Sequence, residues 1–176
     1  MNKQFETLFE MLKQPLKRGG IKTDNSIRMF YPAERELDFR EYLLHTFVPM
    51  LEAEGISFNL LDLGGFLFEA IDEKEIQSLQ EDEFEDYRWM KQGLSKRLES
   101  SLVKRLSELA SESTGGTVIL YGTVALYPLI RFGEILRGVR DLNCRIVITF
   151  PGAERDGTVY FLDQQDSGNY LAVKLT

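Results

Sequence analysis

Apolar residues recur at i, i+3, i+4 and i+7 near the start of the chain, where Phe5, Leu8, Phe9 and Leu12 would form one stripe of a helix over residues 2–13. Pro15 and the pair Gly19-Gly20 close it. Ser26–Tyr31 reads as a short strand ended by Pro32. Residues 33–54 place Leu37, Leu44, Phe47 and Leu51 on one helical face and stop at Gly55, a residue that helix C-termini favour. Pro49 inside this pattern predicts a kink or two shorter helices, because proline cannot donate to the preceding turn. Ile56–Leu63 reads as a second strand stopping at Gly64-Gly65. A helix from Phe66 to about Leu79 follows, then an acidic connection. A longer amphipathic helix is expected from about Glu83 to Ala110, with Gly93 as a point of interruption. In its second half Leu94, Leu98, Leu102, Leu106 and Leu109 keep near-helical spacing.

Two β-branched runs come next, Thr117–Tyr121 and Arg145–Phe150, each breaking into Gly or Pro at its C-terminal end. Between them Ala125–Arg140 reads as a helix carrying Leu129, Ile130, Phe132, Ile135, Leu136 and Val139. The tail alternates in two short runs, Val159–Leu162 and Tyr170–Leu175, expected to pair as a final hairpin. The order β-α-β-α-α-β-α-β-β-β predicts one α/β domain over residues 1–176. Its sheet should be mostly parallel and Rossmann-like, with helices on both faces and a C-terminal antiparallel hairpin edge.

Composition narrows the class. A hydrophobic fraction of 43% in 176 residues is enough for one continuous core. No apolar run approaches the roughly 20 residues that span a bilayer, so no membrane partner is expected. The first residues lack a signal core, and a single cysteine, Cys144, makes no internal disulfide. Both point to the cytoplasm. The net charge of −7 disfavours a protein built to grip nucleic-acid phosphates. Basic stretches at Lys13–Lys22 and Lys91–Arg105 read as solvated faces, and the acidic run Glu81–Asp86 suits a basic partner or a solvated helix start.

Candidate chemistry is sparse, and no catalytic, metal or cofactor-binding residue is assigned. His45, the only histidine, shares a helix face with Asp38, Glu41 and Glu52 and should meet solvent. One His and one Cys cannot assemble the usual zinc sites. Cys144, just before a strand, reads as a packing residue. Asp62 ends an apolar strand, the position of the magnesium-binding carboxylate in phosphate-loop ATPases. Such an enzyme also needs Gly-x-x-x-x-Gly-Lys-Ser/Thr to cradle the phosphates, and after the first strand this chain has Tyr31-Pro-Ala-Glu-Arg instead. The turns after Asp62, Tyr121 and Phe150 should lie at the carboxyl edge of the sheet, where open α/β folds meet ligands. Asp62, Tyr121, Tyr127, Arg131, Phe150 and Asp156 are the candidate interaction surface. The bland alternative is that these glycines and prolines only punctuate turns.

Three ordered pieces carry a family resemblance: Tyr121-Gly-Thr-Val-Ala-Leu-Tyr-Pro128, Phe150-Pro-Gly-Ala-Glu-Arg-Asp-Gly157 and Asn169-Tyr170. With them the chain resembles the B component of the BREX bacteriophage-exclusion systems, a domain-of-unknown-function family, over nearly its whole length. The closing motif departs from the family's Asn-Tyr-Tyr-Arg-like form, since Leu171 and Ala172 follow Tyr170. No role is therefore carried to a terminal arginine. The resemblance implies a small component of an antiviral system without a catalytic site of its own. What is expected is a non-enzymatic adaptor that needs no cofactor and docks another BREX component, the alkaline-phosphatase-like protein first. The alternative is a nucleotide- or nucleic-acid-binding relative of a degenerate phosphate-loop NTPase. It would use Asp62 with magnesium, or Lys96, Arg97, Lys104 and Arg105 against phosphates.

Overall fold

The computed structural model describes residues 2–16, 26–71, 73–112, 115–139, 141–156, 158–162, 164–166 and 173–175. Five strands lie side by side in the order β2 (Phe58–Asp62), β3 (Thr117–Tyr121), β4 (Arg145–Arg155), β1 (Ser26–Tyr31), β7 (Val173–Lys174), all parallel. A hairpin of β5 (Thr158–Phe161) and β6 (Gln164–Asp166) continues antiparallel from the far end of β4. The α/β class and mostly parallel sheet expected from the sequence are present.

The chain order explains the two layers of helix. From β1 it crosses β4 and β3 to reach β2, then returns stepwise through β3 to β4. Right-handed crossovers running in opposite directions must use opposite faces. On one face α1 (Asn2–Lys13), α2 (Glu36–Tyr42) and α3 (Val48–Ala53) cover Met29, Ile119 and Val147. On the other, α4 (Leu63–Ala70), α5 (Glu73–Glu112) and α6 (Phe132–Gly138) cover Val118, Leu120, Ile146 and Ile148. Alternate residues of β3 and β4 thus feed alternate cores, and runs buried on both sides read as continuously apolar.

The α1 stripe is as expected. Phe5, Leu8 and Leu12 are buried, and the Phe5 ring sits 5.3, 4.7 and 4.9 Å from those of Phe39, Tyr42 and Phe47. Each such buried side chain contributes about 1.5–3 kcal/mol. The next stripe differs from the expected one: Phe39, Leu43, Phe47 and Leu51 are buried, while Leu37 is 79% exposed. A strict four-residue repeat outruns the 3.6-residue α-turn. The wider π-turn at Leu43–Phe47, where the Val48 N–H donates to the Leu43 carbonyl, brings it back into line. Pro49 falls in the first turn of α3, and no break is needed.

Four further elements depart from expectation. Gly64-Gly65 does not end a strand in a loop but forms the first turn of α4. The acidic run is helical, and α5 passes through Gly93 unbroken. The expected helix over 125–140 shrinks to a 3-10 turn (Thr123–Leu126) and α6, because Pro128 bars Tyr127 from helical backbone and lacks a donor; the Tyr127–Pro128 peptide is cis. Finally, Phe150-Pro-Gly is not a strand end. β4 runs through it, pairing Pro151 with Tyr31 in the parallel sheet and Gly152 with Phe161 in the hairpin. A Cβ at Gly152 would collide with the Tyr160 carbonyl oxygen, so glycine lets the strand change sheets.

The tail also rearranges. β5 pairs with β6, while Val173–Lys174 runs parallel to β1 as the last strand of the main sheet. Glu154 ties these pieces together, with its Oε2 3.5 Å from Arg28 Nη1 and 4.0 Å from Lys174 Nζ. Asn169, Tyr170, Gly157, Gly19 and Gly20 lie outside the described residues.

Candidate functional site at the carboxyl edge

β1, β2 and β3 end on one edge at Tyr31, Asp62 and Tyr121, with Asp62 and Tyr121 in register. Asp62 caps α4, its Oδ1 accepting the Gly64 N–H at 3.0 Å, which satisfies a donor the helix start leaves open. Gly122 turns the chain with φ +70° directly beside it; a Cβ there would lie 3.0 Å from the same oxygen. The other oxygen, Oδ2, faces Arg40 Nη2 of α2 at 3.6 Å, and the guanidinium lies 5.5 Å from the centroid of the Tyr121 ring. The Arg40 and Asp62 side chains stay 40% and 38% exposed.

Burial first, then the Asp62 charge, raises the Tyr121 hydroxyl above its ordinary pKa, against the opposing pull of Arg40. Tyr31 donates to Glu36 Oε2 at 2.5 Å and stacks on Phe39 at 3.9 Å between centroids. Burial, followed by the hydrogen bond to Glu36, holds its proton well beyond the ordinary range. Behind these residues the Thr149 hydroxyl donates to the Leu120 carbonyl at 3.1 Å, and Thr123 donates to that of Thr149 at 2.9 Å. The turn after β3 is thereby fixed to β4.

The six sequence candidates divide. Asp62 and Tyr121 join this cluster. Tyr127 belongs to the hairpin corner, where its ring stacks on Phe161 at 4.2 Å and its hydroxyl donates to Gln164 Oε1 at 2.9 Å. Phe150 is fully buried, its ring 5.6, 5.6 and 5.9 Å from Phe30, Phe132 and Phe161; it is core, not surface. Arg131 is exposed at the N-cap of α6, and Asp156 is exposed at the β4–β5 turn with φ +50°. Arg40 and Glu36 went unmarked in the sequence. Their only signal was a position in the helix that leaves the first strand at the carboxyl edge.

Other chemistry is thin among the described residues. His45 is exposed, as expected, and no group of three His, Cys, Asp or Glu side chains is placed to hold a metal. Burial pushes the Cys144 thiol up to about 11, so it stays protonated and unreactive near neutrality. An open cleft of about 350 Å³ lies at the opposite, amino edge, lined by residues including Lys13, Glu54, Gly115 and Arg145. There Arg145 Nη2 donates to the Gln14 carbonyl at 3.2 Å, and burial lowers its pKa.

The molecule is thus a doubly covered parallel α/β domain with a hairpin extension and a charged, aromatic carboxyl edge, on which no helix among the described residues is long and apolar enough to cross a membrane. Residues 57–175 match the family described as BREX protein BrxB, more than half of the chain, and the chain belongs to that family. It is a component of a BREX phage-defence system. No curated protein and no solved structure matches it.

Proposed function

We propose that the chain is a non-enzymatic adaptor that docks a second BREX component through its carboxyl edge. One observation carries this reading. Leu37 in α2 and Val124 after β3, 79% and 39% exposed, sit in the segments leaving that edge with the half-exposed Arg40–Asp62 pair, and Leu162, 38% exposed at the end of β5, donates its N–H to the Pro151 carbonyl where β4 leaves the parallel sheet. Exposed apolar side chains beside an arginine are the composition of a protein interface. Asp62 supports the same reading, because both its oxygens are engaged, one by the helix cap and one by a cation that competes with any metal.

The first partner to test is the alkaline-phosphatase-like component. Size-exclusion chromatography with light scattering should show co-elution of the two proteins, lost on Arg40→Glu in a still-folded chain. Separate elution from every system component would overturn the proposal. The exposed Lys96 and Lys104 lend support to the nucleic-acid alternative. DNA retained at about 50 mM salt and released near about 200 mM would favour it.

A further inference from the structure

Helix α5 has 40 residues, and in its second half Leu98, Leu102, Leu106 and Leu109 are buried with Leu94 packed against them. Away from that stripe the helix carries a second one. Positions 82, 86, 89, 93, 96 and 100 step alternately by four and three, the spacing of a two-helix seam. Trp89 is 73% exposed, Gly93 has open space where a Cβ would be, and Lys96 and Ser100 are exposed. The sequence places acids at 82 and 86.

Charge is divided along the helix in the same sense. Residues 73–86 hold seven acids and one base, and residues 88–105 hold six bases and one acid. The helix macrodipole favours such signs only in the first and last turns, whereas the acidic block covers about four turns.

We propose that this face of α5 pairs with α5 of a second copy, antiparallel, about a two-fold axis near Lys91. Each helix then lays its acidic half along the other's basic half. Trp89 falls opposite the second copy's Gly93, where no side chain obstructs the ring, and position 86 falls opposite the second copy's Lys96. A parallel pair would set acid on acid. The contact is isologous, so it closes at two copies. Its polar seam makes it salt-sensitive.

Sedimentation velocity on the whole chain tests this. A two-copy species is expected at about 50 mM salt and largely single copies at about 500 mM. Asp82→Lys with Asp86→Lys, and separately Lys96→Glu with Lys104→Glu, should each weaken self-association about tenfold or more. Mixing the two variants should restore a pair, because seam positions 82, 86 and 96 are then all basic in one chain and all acidic in the other. Circular dichroism confirms that each variant keeps its helix content. A wild-type chain that stays single at about 100 µM, a pair indifferent to both reversals, or a mixture that does not associate would overturn the proposal. None of these outcomes depends on whether the carboxyl edge binds another component.

Discussion

The carboxyl-edge cluster and the hairpin corner share one sequence pattern, an aromatic followed by Gly or Pro (Tyr31-Pro32 and Tyr121-Gly122 against Phe150-Pro151), yet they serve opposite ends. At the edge, Tyr31, Arg40, Asp62 and Tyr121 are tied to their neighbours by polar atoms, and the Arg40–Asp62 pair stays within reach of solvent. At the corner, Phe30, Phe132, Phe150 and Phe161 meet ring on ring, with Tyr127 stacked on Phe161 and only its hydroxyl turned to Gln164. An aromatic followed by Gly or Pro after a strand therefore does not mark a binding surface by itself. What separates the two regions is whether charge remains accessible once the rings are packed.

The hardest test of that division is Phe150→Ala. Removing a fully buried ring that three others touch should cost about 3–5 kcal/mol. The loss would be read as a lower urea midpoint. A loss under about 1 kcal/mol, the range of surface positions, would place Phe150 outside the core. Alkali should discriminate the regions next. Both edge tyrosines hold their protons more tightly folded than unfolded, so the stability they contribute is intact below about pH 10 and falls as pH rises through their native values. A thermal melt should therefore drop above that pH. Tyr31→Phe should flatten the fall. An unchanged pH profile in that variant would remove Tyr31 from the account.

The strands were legible because Thr117–Tyr121 and Arg145–Phe150 are buried on both faces, which forces continuous apolar runs. The buried stripe of α2 and α3 was not, since the π-turn changes the period that selects Phe39 over Leu37. Pro151 and Gly152 misled for a related reason. Punctuation by Pro and Gly looks alike whether a strand stops or leaves one sheet for another. Half of the edge cluster was readable, as Asp62 and Tyr121 end their own strands. Arg40 was not. It reaches Asp62 because the β1-to-β2 crossover carries α2 over two strands, a fact of topology that no local spacing records.

Asp62 separates capping from charge. Asp62→Ala removes the acceptor of the Gly64 N–H and should cost about 1 kcal/mol. Asp62→Asn keeps an acceptor at that place and should lose only a few tenths, although it discards the charge facing Arg40. Equilibrium unfolding in urea checks both. If the two variants fall equally, the ion pair rather than the cap is what Asp62 supplies.

Arg40→Ala should have the smallest effect on the fold and the clearest one on docking. The Arg40–Asp62 pair spans 3.6 Å with both side chains more than a third exposed, and such pairs are worth about 0.2–1 kcal/mol. Little of the sheet or of either core depends on it. If the carboxyl edge docks another BREX component, however, an exposed arginine beside apolar side chains is where binding energy concentrates, and truncation should cost 2 kcal/mol or more, about thirtyfold in affinity. Titration calorimetry against the partner, with a thermal melt of the same sample, reads both quantities. A variant with an unchanged melt and weakened binding assigns the edge to recognition. Equal affinity with and without the guanidinium would mean that the edge, like the hairpin corner, serves only the fold.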